Sequence, residues 1–144
     1  MAQAAPTGEP KGDLLDTAVL VWFVNADPRL SPAVADLIQH TDAPVYVSAA
    51  SVFELSYKYS KGILPEVEPL VERFKQVKFV YQFKELDISS PAARLAATFE
   101  RDSDISDPLR NMIAAQAMTD GLVLITTDDC EDLLGLEYLM AGAA

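Results

Sequence analysis

Four acids stand where a chain of this kind can do chemistry: Asp16, Glu54, Asp107 and Asp128. Asp16 directly follows the apolar pair Leu14-Leu15, and Asp128 follows Leu122 to Ile125 and two threonines. Glu54 falls in the first turns after the apolar segment Val45 to Ser48, and Asp107 precedes Pro108 at the start of a helical stretch. Carboxylates gathered in one place repel one another and raise one another's pKa, so a cluster persists comfortably only around a cation. Oxygen donors suit Mg2+ or Mn2+, and such ions orient water and stabilise charge on a phosphodiester. Each acid also has an ordinary structural explanation. Asp107 before Pro108 and Asp16 before Thr17 are good helix caps. Asp128 with Asp129 suits a turn, and Glu54 suits a solvated helix face.

The elements that must position these acids follow from pattern. Leu14-Leu15 reads as a strand ending at Asp16, with Thr17 opening a helix over the apolar segment that ends at Val24. Ser31-Pro32 caps a helix from Ala33 to Gln39. Val45 to Ser48 is a short buried strand, and Ala50 to Lys61 is a helix stopped by Gly62. Val67, Leu70, Val71 and Phe74 have helical spacing, which predicts a helix from Val67 to Gln76. Phe79 to Phe83 reads as a strand or an extended connection, and Leu86 to Ile88 as a short strand. Ser90-Pro91 caps a helix from Ala92 to Phe99, and Asp107-Pro108 starts one that runs to about Thr119. Leu122 to Ile125 is a strand, followed by a last short helix and an edge strand around Tyr138. Strands alternating with helices predict a three-layer α/β/α domain with a central parallel sheet. Ligands of such sheets bind beyond the carboxyl ends of the strands, where Asp16 and Asp128 would project.

The chain has 144 residues, a single-domain length, and half of them are hydrophobic. Its boundaries read as a disordered tail over 1–12, a domain over 13–140 and a short tail over 141–144. Lys and Arg number 11 against 22 acids, for a net charge of -11. That balance argues against a simple groove binder of nucleic acid. It leaves room for a nucleic-acid enzyme whose basic residues gather on one rim. One cysteine, Cys130, excludes an internal disulfide. One histidine, His40, nearly excludes a serine triad or a histidine-based zinc site. No signal peptide or membrane-length apolar run is seen, so the expected location is cytoplasmic, without a membrane.

From Leu14 to about Leu139 the chain resembles the PIN-domain family, most closely its VapC-type toxin ribonucleases. The resemblance is carried by Leu-Leu-Asp16-Thr-Ala-Val-Leu-Val-Trp22, by Asp27-Pro28-Arg29-Leu30-Ser31, and by Val45-Tyr-Val-Ser48-Ala-Ala-Ser51-Val-Phe-Glu54-Leu. It continues through Lys58, Gly62, Ile113-Ala-Ala-Gln116-Ala117 and Leu124-Ile-Thr126-Thr127-Asp128. It implies metal-dependent cleavage of single-stranded RNA by water attacking phosphorus. It further implies a homodimer and a cognate antitoxin. Asp16, Glu54 and Asp128 would hold or orient Mg2+ or Mn2+, with Asp107 a weaker candidate. Thr126 would hydrogen-bond an acid or the nucleophilic water.

One position departs from the pattern. The family runs Asp-Pro-x-Asp ahead of the Ile-Ala-x-x-Ala helix, whereas this chain reads Asp107-Pro108-Leu109-Arg110. Arg110 therefore stands at the third acid. Three readings follow: a cation lodged among the acids in place of metal; a side chain pointing away while Asp107 and Asp104 supply charge; or an introduced change that disarms a toxic protein. Attraction to neighbouring acids would be worth roughly a few kcal/mol per close pair at an effective dielectric of ~20. Weak metal binding and weak or absent activity are expected relative to an intact family site. The alternative function is a catalytically inactive PIN-like module that binds RNA or protein. A phosphotransfer domain fits poorly, because Ala18 stands where an Asp-x-Asp phosphatase has its second acid.

Overall fold

The computed structural model describes residues 11–99 and 108–143. Its first strand, β1 (Asp13–Leu15), is the centre of the sheet. Alternate side chains of a strand face opposite sides, and here both sides are apolar. Leu15 packs with Val19, Val47 and Ile125 on one face, and Leu14 packs with Ala50, Ile113 and Leu124 on the other. A strand greasy on both faces needs helices above and below it, and the chain supplies them.

Helix α1 (Thr17–Val24) follows at once, then α2 (Pro32–His40) with Pro at its first turn. Strand β2 (Val45–Ser48) leads into α3 (Ala49–Ser60), capped by the Ser48 hydroxyl. A 3-10 turn (Pro65–Val67) precedes α4 (Glu68–Glu72) and α5 (Phe74–Tyr81). Strand β3 (Phe83–Leu86), α6 (Ser90–Ala96), α7 (Pro108–Asp120), β4 (Val123–Thr126) and β5 (Tyr138–Met140) complete the order. All four strand pairings are parallel, in the order β3-β2-β1-β4-β5. The predicted α/β/α architecture is the one observed.

Some boundaries differ from expectation. The single helix predicted over Val67 to Gln76 is two, broken at Arg73, whose φ of -127° leaves the helical well. Val67, Leu70 and Val77 remain buried across the break, so the apolar spacing registered burial rather than continuity. Phe79 to Tyr81 is helix, not strand. Phe79 and Val80 point outward, and Gln82 in the left-handed region (φ 62°) ends α5. The strand predicted over Leu86 to Ile88 begins earlier and stops at Leu86, because β3 takes its register from β2. Ser89, not Ser90, caps α6, and α6 ends at Ala96 instead of Phe99. The last short helix is absent from the described residues, where turns fill the span before β5. Beyond β5, Ala141 is buried and donates its N–H to the Thr126 carbonyl, while Ser31 N–H donates to Ala141. The α7 helix ends at Gly121 with φ 68°, a conformation that glycine adopts at little cost. Among the described residues no helix is long and apolar enough to cross a membrane.

Candidate active site

The strand order reverses direction between β1 and β4: β2 and β3 lie to one side of β1, β4 and β5 to the other. At such a switch point the connections leave in opposite directions and open a crevice at the carboxyl ends. Asp16 emerges from β1 at that crevice, and Thr126, Thr127 and Asp128 emerge from β4. Backbone pairing continues one residue past β1, from Asp16 N–H to the Ile125 carbonyl at 3.0 Å, so the two strand ends leave the sheet together.

Asp16 is held from three directions. One carboxylate oxygen accepts the Val19 N–H at 2.9 Å and so caps α1. The other accepts the Thr126 hydroxyl at 2.6 Å and the Thr127 N–H at 3.2 Å. The cap and the functional candidate are thus one side chain. Burial raises the Asp16 pKa above the ordinary aspartate value, and the Asp128 charge adds to the rise. The bonds from Thr126, Val19 and Thr127 pull the other way without cancelling it. The Thr126 hydroxyl also accepts the Asp128 N–H at 3.0 Å, so it links the two acids through one oxygen.

Glu54 reaches the same place from α3. It is paired with Lys58 one turn on, Nζ to Oε2 at 2.7 Å. Asp128 is paired with Arg110 from α7, Nε to Oδ2 at 3.2 Å. Asp16, Glu54, Lys58, Arg110, Thr126 and Asp128 line one cavity of about 370 Å³. Thr17, which lines it, and the buried Ser51 share a 2.8 Å hydrogen bond that ties α1 to α3. Asp107 and Asp104 lie outside the described residues. His40 sits apart on the exposed end of α2, 3.5 Å from Asp36. Cys130 is buried against β4 and α7.

Lys58 enters the site as more than a pattern match. A Glu and a Lys four residues apart on one helix are neighbours, which was the available signal. Arg29 was not singled out from the sequence as part of the site. It lines the cavity too, stacked 5.0 Å over Trp22 and paired with Asp27, whose carboxyl it holds below the usual range. Among the described residues, three basic side chains of an acidic chain thus face one hollow.

In kind, the donors match a hard divalent cation: two aspartates, a glutamate and a hydroxyl. In arrangement they do not. Among the described residues no three potential ligands are grouped closely enough to hold an ion. Two of the three acids already have a cation 2.7 or 3.2 Å away. An incoming metal would meet a like charge at Arg110 and find one acid fewer. The pair itself is weak, since the Arg110 side chain is 60% exposed. Solvent screening cuts the few kcal/mol expected from Coulomb's law to about 1 kcal/mol or less. The Arg110 side chain therefore does little to lock Asp128 away.

A parallel α/β domain with acids at the switch point of its sheet defines a class of carboxylate-pocket proteins. The PIN-domain family model matches residues 14–130, and the chain belongs to that family. PIN domains are generally dependent on divalent metal. Solved structures share the fold. A chain of VapBC2 from Rickettsia felis, bound to a DNA fragment from their promoter, is 17% identical, with 90% of this chain and 98% of that one covered and a TM-score of 0.66. DNA-bound VapBC from Salmonella typhimurium gives 23% identity, coverage of 91% and 98%, and a TM-score of 0.62. FitAcB from Neisseria gonorrhoeae gives 25% identity, coverage of 88% and 95%, and a TM-score of 0.61. No curated protein matches the chain in sequence.

Proposed function

We propose that this chain is the toxin-type member of a toxin–antitoxin pair: a PIN domain directed at single-stranded RNA, with metal-dependent cleavage held low by Arg110. The observation that carries the reading is the Arg110–Asp128 pair at 3.2 Å, in the cavity that also holds Asp16 and Glu54. The resemblance in sequence puts the family's chemistry at these acids, and a guanidinium stands among them. Similar structures that are VapBC complexes or are described as a toxin–antitoxin complex support the assignment of a cognate antitoxin as partner. A homodimer and a cytoplasmic location complete the proposal.

The chemistry left to the side chains is specific. Lys58 and Arg110 offset the charges of Glu54 and Asp128, which makes the hollow less repulsive to a phosphodiester than an unpaired acidic cluster. Asp16, oriented by Thr126 and Thr127, has the raised pKa of a stronger proton acceptor than an ordinary aspartate. Asp16, Glu54 and Asp128 would hold Mg2+ or Mn2+, which would supply an activated water and offset the negative charge of the phosphodiester oxygens. Arg110→Asp restores the acid that such an ion requires.

The experiment is RNA cleavage with Mn2+ alongside calorimetric titration of Mn2+, for the chain as it stands and for Arg110→Asp. The expected outcome is weak binding and weak cleavage in the former and a clear gain of both in the latter. No gain in either would remove Arg110 from the third acidic position. The second reading, a catalytically inactive module that binds RNA or protein, is favoured by the pairing of both Glu54 and Asp128 with cations. Robust cleavage by the unaltered chain would dispose of it.

A further inference from the structure

The turn that follows α1 is held under strain. Ala26 has φ 51°, in the left-handed region where a Cβ crowds the backbone and glycine is the ordinary occupant. Such a residue persists only when its surroundings fix it. Helix α1 does so from one side. The Ala26 N–H donates to the Phe23 carbonyl at 3.2 Å, and the Asp27 N–H to the Trp22 carbonyl at 2.9 Å. Residues 27–30 then form one unit. The Asp27 carboxylate accepts the Arg29 N–H and its guanidinium, and the Asp27 carbonyl accepts the Leu30 N–H. The residues after β5 fasten this unit from the other side. Leu30 and Gly142 form an antiparallel bridge, in which the Ser31 N–H donates to the Ala141 carbonyl and the Ala143 N–H to the Arg29 carbonyl, each at 2.8 Å. Ala141 is fully buried and also donates to the Thr126 carbonyl. One strap, 141–143, therefore joins the Arg29 side of the cavity to its Thr126 side.

We infer that the strap 141–143 is a latch on the turn 27–30, and that its bond from Ala143 to Arg29 keeps the cavity closed at Trp22. With the bond made, Arg29 lies 5.0 Å over the Trp22 ring, and both residues line the cavity. With it broken, the turn swings about Ala26 while the buried Leu30 stays anchored. Arg29 then leaves the ring and the cavity widens. The strained residue stands at the base of the part that moves, and rotation there leads out of the strain. The two ends of the strap differ in hold. Ala141 is bonded inside the core, whereas Ala143 and Arg29 are exposed, so the bond between them is the one that opens first. Little else keeps Arg29 down. Its pair with Asp27 lies within the turn and travels with it, so that pair resists no swing. Its contact with Trp22 is made by a side chain 69% exposed, where a cation–π attraction is weak. The latch stands whether or not RNA is the ligand.

Trp22 is the only tryptophan of the chain, so its fluorescence reports this wall alone. The test combines acrylamide quenching of Trp22 with amide hydrogen exchange followed by NMR on the full chain. Ala143→Pro removes the N–H that reaches Arg29. Gly142→Ala keeps both bridge bonds and adds a methyl group where no non-neighbouring atom lies within 4 Å. Ala26→Gly relieves the strained hinge. The Asp27 amide is the one to follow, because its bond to Trp22 spans that hinge. In Ala143→Pro its protection is expected to fall roughly two- to tenfold, the equivalent of one hydrogen bond. The α7 amides are expected to stay unchanged and the Trp22 quenching constant to rise. Ala26→Gly is expected to raise Asp27 protection and to reverse part of the Ala143→Pro effect when the two are combined. Gly142→Ala is expected to match the parent. Unchanged Asp27 protection in Ala143→Pro overturns the latch. Lost protection without a rise in quenching overturns it as well, because the turn would then move without opening the cavity. An equal loss across α7 has the same force, because the whole fold would be loosened. If circular dichroism shows that Ala143→Pro does not fold, Ala26→Gly decides. Higher Asp27 protection and weaker quenching than the parent uphold the latch, and equal or opposite values overturn it.

Discussion

Thr126 connects two acids of the pocket through a single hydroxyl. Its hydroxyl donates to Asp16 at 2.6 Å and accepts from the Asp128 backbone at 3.0 Å, and the side chain is 2% exposed. Thr126→Val keeps the shape and removes both bonds. A loss of about 1–3 kcal/mol is expected, the range for stranding buried polar partners, and chemical denaturation measures it. Asp16 behaves in the opposite sense. Its folded-state pKa lies above the ordinary value because burial disfavours the charge. The folded protein then holds the proton more tightly than the unfolded chain. This contribution to stability is present at low pH and is lost as pH rises through the raised pKa. Asn is as good a helix cap as Asp. Asp16→Asn relieves the buried charge but cannot accept from both Val19 and Thr127, so it is expected to raise Tm at neutral pH only by the margin of burial over those bonds, with the difference closing below the ordinary aspartate range. A lower Tm for Asp16→Asn at neutral pH would show that the bonds to Thr126 and Thr127 outweigh burial. A site that costs stability is common where function needs a charge in a sheltered place.

At the scale of elements, the pocket's walls are joined by polar contacts inside the core. Gln116 of α7 is 1% exposed. Its carbonyl oxygen accepts the Ser48 hydroxyl at the start of α3, and its amide nitrogen donates to the Leu86 and Asp87 carbonyls after β3. One side chain thus fastens the helix that carries Arg110 to the strand ends on the far side of the sheet. Gln116→Ala leaves a cavity and strips these groups of partners. A loss of about 2–4 kcal/mol is expected, seen as a fall in Tm larger than that from a cap deletion such as Ser89→Ala, which costs about 1 kcal/mol. If the two variants melt alike, the Gln116 clamp is not holding α7. The break between α4 and α5 also belongs to this scale. The buried side chains keep helical spacing through Arg73, but the backbone does not.

The whole molecule carries twice as many acids as bases, 22 against 11. Like charges over a small domain repel, and salt screens them over about 10 Å at 0.1 M. Tm is therefore expected to rise between low and moderate NaCl concentrations. If the proposed RNA-directed function holds, RNA affinity is expected to fall over the same interval, because cations that meet the strand release its counterions. A melting temperature indifferent to salt would mean that the acids are already neutralised locally. The Lys58–Glu54 and Arg110–Asp128 pairs achieve that only for the pocket.

Much of this architecture was legible in the chain itself. Leu14-Leu15 and Leu122 to Ile125 are short and apolar on both faces, which only a covered parallel strand tolerates, and the turn residues and caps between them left few other foldings. The positions of Asp16, Glu54 and Asp128 beyond strand ends followed from the same pattern. Local pattern failed where two states compete on equal terms. Phe79 to Tyr81 has strand-forming residues but lies in helix, since Gln82 could take the left-handed turn and leave Phe83 in register with Val45. Helix spacing encoded the Glu54–Lys58 pair, but which distant polar groups meet was decided in three dimensions alone. Arg110 and Asp128 are 18 residues apart and Thr126 and Asp16 are 110 apart, and no local preference encodes such distances. The physical reason is that parallel pairing of β1 with β4 brings their carboxyl ends together, and that contact exists only once the intervening helices have packed on both faces of the sheet.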